Sequence, residues 1–266
     1  MTDRHSQNAV AGTVVFDLDG VVYLGQEGVP HARRAFESLE DAGFHILFAT
    51  NNASVTQVSA IEKIERLTGY NGTASAVVTS GMATAEYLAG RYETALVIGE
   101  PALTETLEAA QIRVVDSQSP PDAVVVGIDF SFTYEKLAAS VRAIRNGAAF
   151  IATNTDASIP ASSGQAPGAG SLVAAVQTAS GVVPVVCGKP HQPMIHILNR
   201  LRVGDVTWMV GDRPETDIAI AVSAGWRSIL PLTGVVSSAD DIGDRPTPDH
   251  IVASIQDVPR LVLGTV

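Results

Sequence analysis

The chain has 266 residues, 46% of them hydrophobic, with a formal net charge of −11 and an isoelectric point of about 4.9. That hydrophobic share supports a sizeable core, in one large domain or two modest ones, and excludes a mainly disordered chain. The acidic balance has no Lys/Arg cluster to offset it, which excludes nucleic acid as a groove-bound partner; a small anionic ligand would need positive charge focused locally.

Residues 1–12 (MTDRHSQNAVAG) are polar and lack an apolar core segment, so they do not read as a secretory signal, and the first ten read as a frayed tail. TVVFDLD (13–19) reads as a buried strand, and Pro30 opens a helix with Ala35, Phe36 and Leu39 on one stripe, closed by Gly43. FHILFAT (44–50) is the next strand, followed by a helix over 56–67 with Val58, Ile61 and Ile64 at helical spacing, then a third strand, SAVVTS (75–80). This β-α-β-α-β rhythm predicts a parallel sheet covered by helices. From about residue 82 the alternation restarts. ALVIG (95–99), IRVVD (112–116), AVVVGI (123–128) and FIATN (150–154) read as strands, and 133–146 as a helix with Tyr134, Leu137, Val141 and Ile144 on one face. Near 183 a further set begins: VPVVCG, a helix over 191–202, VTWMVG (206–211), a helix over 216–224 and RSILPL (227–232). The stretch 233–250 is rich in Asp, Pro, Ser and Gly and reads as loop, with a short strand near His250–Val252. No run of about 18 apolar residues occurs, so no membrane span and no membrane partner are expected.

Several features have a bland reading that outweighs a functional one. The single cysteine, Cys187, rules out a disulfide framework and a Cys-based zinc site within the chain and suits a reducing, cytoplasmic compartment. With no His/Asn partner pattern it reads as a packed strand residue. His191 and His196 lie five apart and make no metal-spaced pair, so they read as surface or core residues. GAGS (168–171) would need glycine at Val173 to continue a dinucleotide fingerprint, so it reads as the turn that starts a helix. FATNN (48–52) and IATNTD (151–156) both place Ala-Thr-Asn at the end of an apolar strand, which is either a repeated unit or the common use of Thr and Asn at strand ends.

Four places set polar groups directly after an apolar strand: Asp17 with Asp19, Thr50 with Asn51, Gly188-Lys189-Pro190, and Gly211-Asp212 with Asp217. Ligands of open parallel sheets bind beyond the carboxyl ends of the strands, so neighbouring strands would bring these sets to one crevice. Asp17, Asp19 and Asp212 crowded together would repel one another unless a cation joined them. Oxygen ligands suit Mg²⁺. Lys189 adds a fixed cation, and Thr50 and Asn51 add neutral donors, which is what a dianionic phosphoryl group needs. One aspartate of the pair can then act as nucleophile and the other as proton donor. A calcium-loop reading from Asp17 fails, because Val22 and Gly28 stand where glycine and glutamate are required.

FDLDG (16–20), ATNN (49–52), GKP (188–190) and GDRPETDI (211–218) come in the order of the four motifs of the haloacid dehalogenase (HAD) superfamily. VVVGIDFSFTYEKL (124–137), FIATNTDASIP (150–160), PGAGSLVAAV (167–176) and PVVCGKP (184–190) resemble its NagD-like, type IIA branch. The resemblance spans about residues 13–255 and implies an α/β fold: a Rossmann-like parallel-sheet core of residues 1–81 and 185–266, with residues 82–184 as an inserted α/β cap of C2 type. It implies a Mg²⁺-dependent phosphatase of small phosphate monoesters. Asp17 would form an aspartyl-phosphate, and Asp19 would protonate the leaving alcohol and then activate water. Thr50, Asn51 and Lys189 would bind the phosphoryl group. Asp17, the Asp19 main-chain carbonyl and Asp212 would hold Mg²⁺, and Asp217 would act through a metal-bound water or by orienting Lys189. The implied partner is a small phosphorylated metabolite, and caps of this branch often pair, so a homodimer through the cap is also expected. Val55 stands where the family often carries Arg or Lys, and Thr155 where it often carries proline. A phosphate-sensing or phospho-accepting protein without turnover is the competing reading. A dehalogenase is disfavoured by Asp19 and Asp212.

Overall fold

The computed structural model describes residues 11–161 and 164–264, so the polar tail expected at residues 1–10 lies outside the described residues. The strands are β1 (Gly12–Phe16), β2 (Tyr23–Leu24), β3 (Glu27–Gly28), β4 (Phe44–Thr50), β5 (Val77–Thr79), β6 (Thr94–Ile98), β7 (Arg113–Val114), β8 (Ala123–Val126), β9 (Ala149–Ala152), β10 (Ser158–Ala161), β11 (Gly164–Pro167), β12 (Val185–Val186), β13 (Val206–Val210), β14 (Arg227–Pro231) and β15 (His250–Val252). The helices are α1 (Ala32–Asp41), α2 (Gln57–Thr68), α3 (Ser80–Leu88), α4 (Pro101–Ala109), α5 (Tyr134–Arg145), α6 (Ala169–Ser180), α7 (Gln192–Leu201), α8 (Ala219–Ala224) and α9 (Val258–Gly264). The chain divides into two compact units: Met1–Phe48 with Ile64–Gly72 and Arg200–Val266, and Ala49–Lys63 with Thr73–Asn199.

In the first unit a parallel sheet runs in the order β15-β14-β13-β1-β4. β1 lies between β13 and β4, with Phe16 level with Val210 on one side and Phe48 on the other. A central parallel strand has both faces covered, which is why β1 is buried along its whole length and, after Gly12, is β-branched and aromatic throughout. Phe16, Phe36, Phe48 and Tyr70 meet edge to face or tilted, at centroid distances of 4.8–6.3 Å. Such pairs add about 0.5–1.5 kcal/mol each beyond their area burial. Tyr70 donates its hydroxyl to Glu40 at 2.7 Å, so the one polar tip in this cluster is satisfied.

In the second unit a parallel sheet runs β12-β9-β8-β6-β7, and β10 and β11 form an antiparallel hairpin. Ile98, Val124, Val126 and Phe150 from the sheet pack with Ile144 of α5 and Val173 and Val176 of α6. The strands read from the restart of the alternation near residue 82 thus form a parallel sheet of their own.

The boundaries differ from the sequence reading in physically explicable ways. Val58 is 55% exposed, whereas Ile61 and Ile64 are buried. Residues three apart drift about 60° around a helix, so three in a row do not share one face. Tyr134 is 78% exposed: it is the first residue of α5, after the Thr133 cap, and the buried face runs through Ala139, Ser140 and Ile144. The strand expected over 112–116 is only β7, and Val183 is exposed ahead of a two-residue β12. The 216–224 helix begins as a π turn, Pro214–Ile218, before α8. The hairpins β2–β3 and β10–β11 carry no clean alternation of apolar residues and left no sequence signal. Among the described residues no helix is long and apolar enough to cross a membrane.

Candidate active site

The first unit brings its carboxylates together by strand register. Asp17 follows β1, and its N–H donates to Val210 O at 2.8 Å, extending the β1–β13 ladder by one residue. Asp212 follows β13 by two residues, so the two acids leave adjacent strands at the same end of the sheet. Asp217 comes in from the π turn, where its Oδ2 accepts from Arg213 N at 3.0 Å. Asp17, Asp212 and Asp217 are all buried, and one carboxylate oxygen of each lies within 4.8 Å of the others.

The backbone around Asp212 is cleared by glycine. Gly20 has φ +90°, which favours glycine, and a Cβ there would collide with the Asp212 carboxylate. A Cβ at Gly234 would also strike that carboxylate, and Val235 N donates to Asp212 Oδ2 at 2.7 Å. Three buried carboxylates, held in place with backbone packed round them, form an oxygen-only donor set that fits a hard divalent cation.

Asp19 is half-buried in the turn after Asp17. Gly20 N donates to Tyr23 O at 2.9 Å, and Asp19 bridges to Tyr23. The Tyr23 phenol is pushed well above its ordinary range, first by burial and then by the charges of Asp19 and Asp17. It therefore stays neutral beside the acids. The Asp19 side chain does not belong to the three-carboxylate group.

The second unit holds the other predicted residues. β12 sits beside β9, and the ladder continues past both strands: Cys187 N donates to Ala152 O at 2.9 Å and Gly188 N to Thr153 O at 2.7 Å. Lys189 follows at once, 3% exposed, with Nζ donating to Ala49 O at 2.8 Å. Thr50 is buried at the end of β4, and its Oγ1 accepts from Asn52 N at 3.0 Å. Asn51 turns its side chain onto the Lys189 main chain, with Oδ1 accepting from Lys189 N at 2.7 Å and Nδ2 donating to Lys189 O at 3.1 Å. A Cβ at Gly188 would lie 2.5 Å from Asn51 Oδ1 and 2.6 Å from Thr153 O, so this approach requires glycine.

Sequence reasoning missed three residues of this network. Asn154 Nδ2 donates to Asn51 O at 2.7 Å, as does Ser80 Oγ at 2.6 Å, and Asp156 accepts from Asn51 Nδ2 at 3.2 Å through each carboxylate oxygen. The echo of Ala-Thr-Asn at 49–51 and 152–154 was the signal for Asn154, since the two Thr-Asn strand ends lie against each other; Ser80 and Asp156 had none. Cys187 is fully buried, and burial pushes its thiol up to about 12, as expected for a packing residue. Burial lowers His191, and exposed His196 sits 3.5 Å from Glu86.

Residues 14–113 match the family model of haloacid dehalogenase-like hydrolases, and residues 186–258 match a second HAD-hydrolase-like model. The 5'-nucleotidase YutF of Bacillus subtilis is 38% identical over 245 residues, covering 91% of this chain and 94% of that protein. The crystal structure of 4-nitrophenylphosphatase from Thermotoga maritima is 31% identical, with a TM-score of 0.87 over 96% of this chain and 98% of that one. The glycerol phosphate phosphatase of Mycobacterium tuberculosis in complex with magnesium is 34% identical, with a TM-score of 0.84 over 93% of this chain and 77% of that one. The chain belongs to the haloacid dehalogenase-like hydrolases and, within them, to the NagD-like type.

Proposed function

We propose that this protein is a Mg²⁺-dependent phosphatase that hydrolyses small phosphate monoesters through an aspartyl-phosphate at Asp17. The observation that carries the reading is the convergence of Asp17, Asp212 and Asp217, three buried carboxylates at the ends of adjacent elements. The magnesium bound by the M. tuberculosis relative supports the choice of cation. Asp17, the Asp19 main-chain carbonyl and Asp212 are the proposed ligands, with Asp217 holding the group in place. When bound, Mg²⁺ supplies the positive charge that lets the carboxylates coexist and offsets the charge of the phosphoryl oxygens.

In this reading an Asp17 oxygen attacks phosphorus while the bond from phosphorus to the ester oxygen breaks. Asp19 gives its proton to that oxygen, so an alcohol leaves and Asp19 becomes a carboxylate. Water then attacks the phosphorus of the aspartyl-phosphate and passes a proton to Asp19. Inorganic phosphate departs, restoring ionised Asp17 and protonated Asp19. Thr50, Asn51 and Lys189 are the proposed phosphate-binding groups, with the Lys189 ammonium as the fixed cation. Residues 1–81 and 185–266 act as the core, and residues 82–184 as the α/β cap, through which a homodimer could form.

The substrates proposed are sugar, glycerol or glycolate, and nucleoside phosphates, with p-nitrophenyl phosphate as a laboratory substrate. The relatives named as a nucleotidase, a nitrophenylphosphatase and a glycerol phosphate phosphatase support that range. Cys187 as a free thiol suits the cytoplasm. The test is turnover of p-nitrophenyl phosphate with Mg²⁺, in wild type and in Asp19→Asn. An enzyme turns over in the wild type and loses steady-state turnover in the variant. A phospho-accepting protein without turnover is labelled at Asp17 in both and releases no alcohol repeatedly in either.

A further inference from the structure

The second unit contains a closed ring of side-chain bonds. Asn51 Nδ2 donates to Asp156, Asp156 N donates to Asn154 Oδ1 at 3.0 Å, and Asn154 Nδ2 returns to Asn51 O. The ring joins the end of β4 to the turn after β9, and Asn51 carries it to both main-chain polar atoms of Lys189. An ionised carboxylate only accepts hydrogen bonds, so Asp156 admits one orientation of the Asn51 amide. Turning that amide over would place Oδ1 against the Asp156 oxygens and Lys189 O, and Nδ2 against Lys189 N–H. Every bond of the clamp would be lost.

Asp156 is itself held by the GAG start of α6. Gly170 N donates to Asp156 O at 2.9 Å and Gly168 N to Ala157 O at 2.8 Å. A Cβ at Gly168 or Gly170 would collide with Asp156 O. These glycines, which match no dinucleotide fingerprint, are explained by the need to bring a helix start into contact with this turn.

The geometry points to Asp156 as a positioning residue that sets the Asn51 amide and, through it, the Lys189 backbone. The inference deepens the phosphatase reading and rests on it for the role of Lys189, but the clamp can be tested without turnover. The direct probe is hydrogen exchange at the Lys189 amide, whose N–H is donated to Asn51 Oδ1. In Asp156→Ala that amide should exchange roughly tenfold faster or more, while amides in β8 keep their protection. Equal protection at Lys189 in wild type and variant would overturn the inference.

The second probe is a double-mutant cycle on kcat/KM for p-nitrophenyl phosphate. Asp156→Ala should cost roughly tenfold or more in the wild-type background and less than about twofold beside Asn51→Ala. Losses that multiply in the two backgrounds would also overturn it, because they would mean that Asp156 acts by a route other than Asn51. If Asp156→Ala does not fold, Asp156→Leu keeps the bulk of the side chain, removes both acceptor oxygens and is judged by the same exchange criterion. A wild type without turnover would sink the phosphatase reading alone; the exchange result would still decide the clamp.

Discussion

The two clusters of strand-end residues solve opposite electrostatic problems. In the first unit, Asp17, Asp212 and Asp217 are three buried acids of one sign, placed by strand register and a π turn and hemmed in by Gly20 and Gly234. In the second, Lys189 is a buried cation whose ammonium and main chain both have neutral oxygen or amide partners close by. Burying like charges together is costly unless a cation or protons join them, and burying an ammonium is costly unless oxygens such as Ala49 O surround it. The lesson is that the acidic cluster is built to receive a cation and the amide network is built to hold one in place.

The largest expected effect breaks the acidic side. Asp17→Asn should lower turnover of p-nitrophenyl phosphate by about 10⁴-fold or more, because the amide cannot serve as nucleophile. Retention of a tenth of the wild-type rate would remove Asp17 from that role. Next comes the cationic side. Lys189→Met keeps the bulk of the stem and loses the ammonium, and a fall of roughly 10²–10³-fold in kcat/KM is expected, as for loss of one preorganised donor. An unchanged KM for phosphate esters and unchanged inhibition by inorganic phosphate would contradict phosphate binding by Lys189.

A smaller effect separates the clusters by stability. Mg²⁺ at about 100 times its dissociation constant should stabilise the fold by about 2.7 kcal/mol, read as a rise in Tm over the chelated protein. Asp212→Asn should abolish that rise, and Asn51→Ala should leave it in place. The same rise in both variants would place the cation elsewhere.

The smallest effect at neutral pH lies beside Lys189. Cys187 is fully buried and its thiol is raised from 9.0 to about 12 by burial, so the native state holds this proton more tightly than the unfolded chain. The unfolded thiol ionises first as pH rises, so this contribution to stability is complete below about pH 9 and is lost between about 9 and 12. Cys187→Ala should flatten that alkaline loss in urea titrations, and native Cys187 should resist alkylation at pH 8. Rapid alkylation of the folded protein would contradict the burial.

Much of the acidic cluster was legible in the sequence. An apolar run ending in Asp-x-Asp-Gly needs two covered faces and a turn, and β1 has both. VTWMVGD could be placed next to it because each strand carried its acid directly beyond its apolar run, the position where ligands of parallel sheets collect. The amide network was legible only in part. Thr50, Asn51 and Lys189 stood out because they follow strands, but Asp156 lies in a turn, and its partner Asn51 is 105 residues away in sequence. No local periodicity encodes such a contact. The repeated Ala-Thr-Asn was visible, yet its meaning is that the two strand ends touch, which only the fold supplies. Val58 and Tyr134 fail for a different reason: spacing gives the side of a helix, while packing decides how far along that side burial extends.

The account depends most directly on where the phosphoryl group becomes attached. Asp19→Asn protein, incubated with Mg²⁺ and p-nitrophenyl phosphate, whose phenolate leaves without the Asp19 proton, and then reduced with borohydride, should show on peptide mapping that the Asp17 carboxyl has been converted to an alcohol. Modification at a different acid, or at none while the wild type turns over under the same conditions, would contradict the aspartyl-phosphate mechanism.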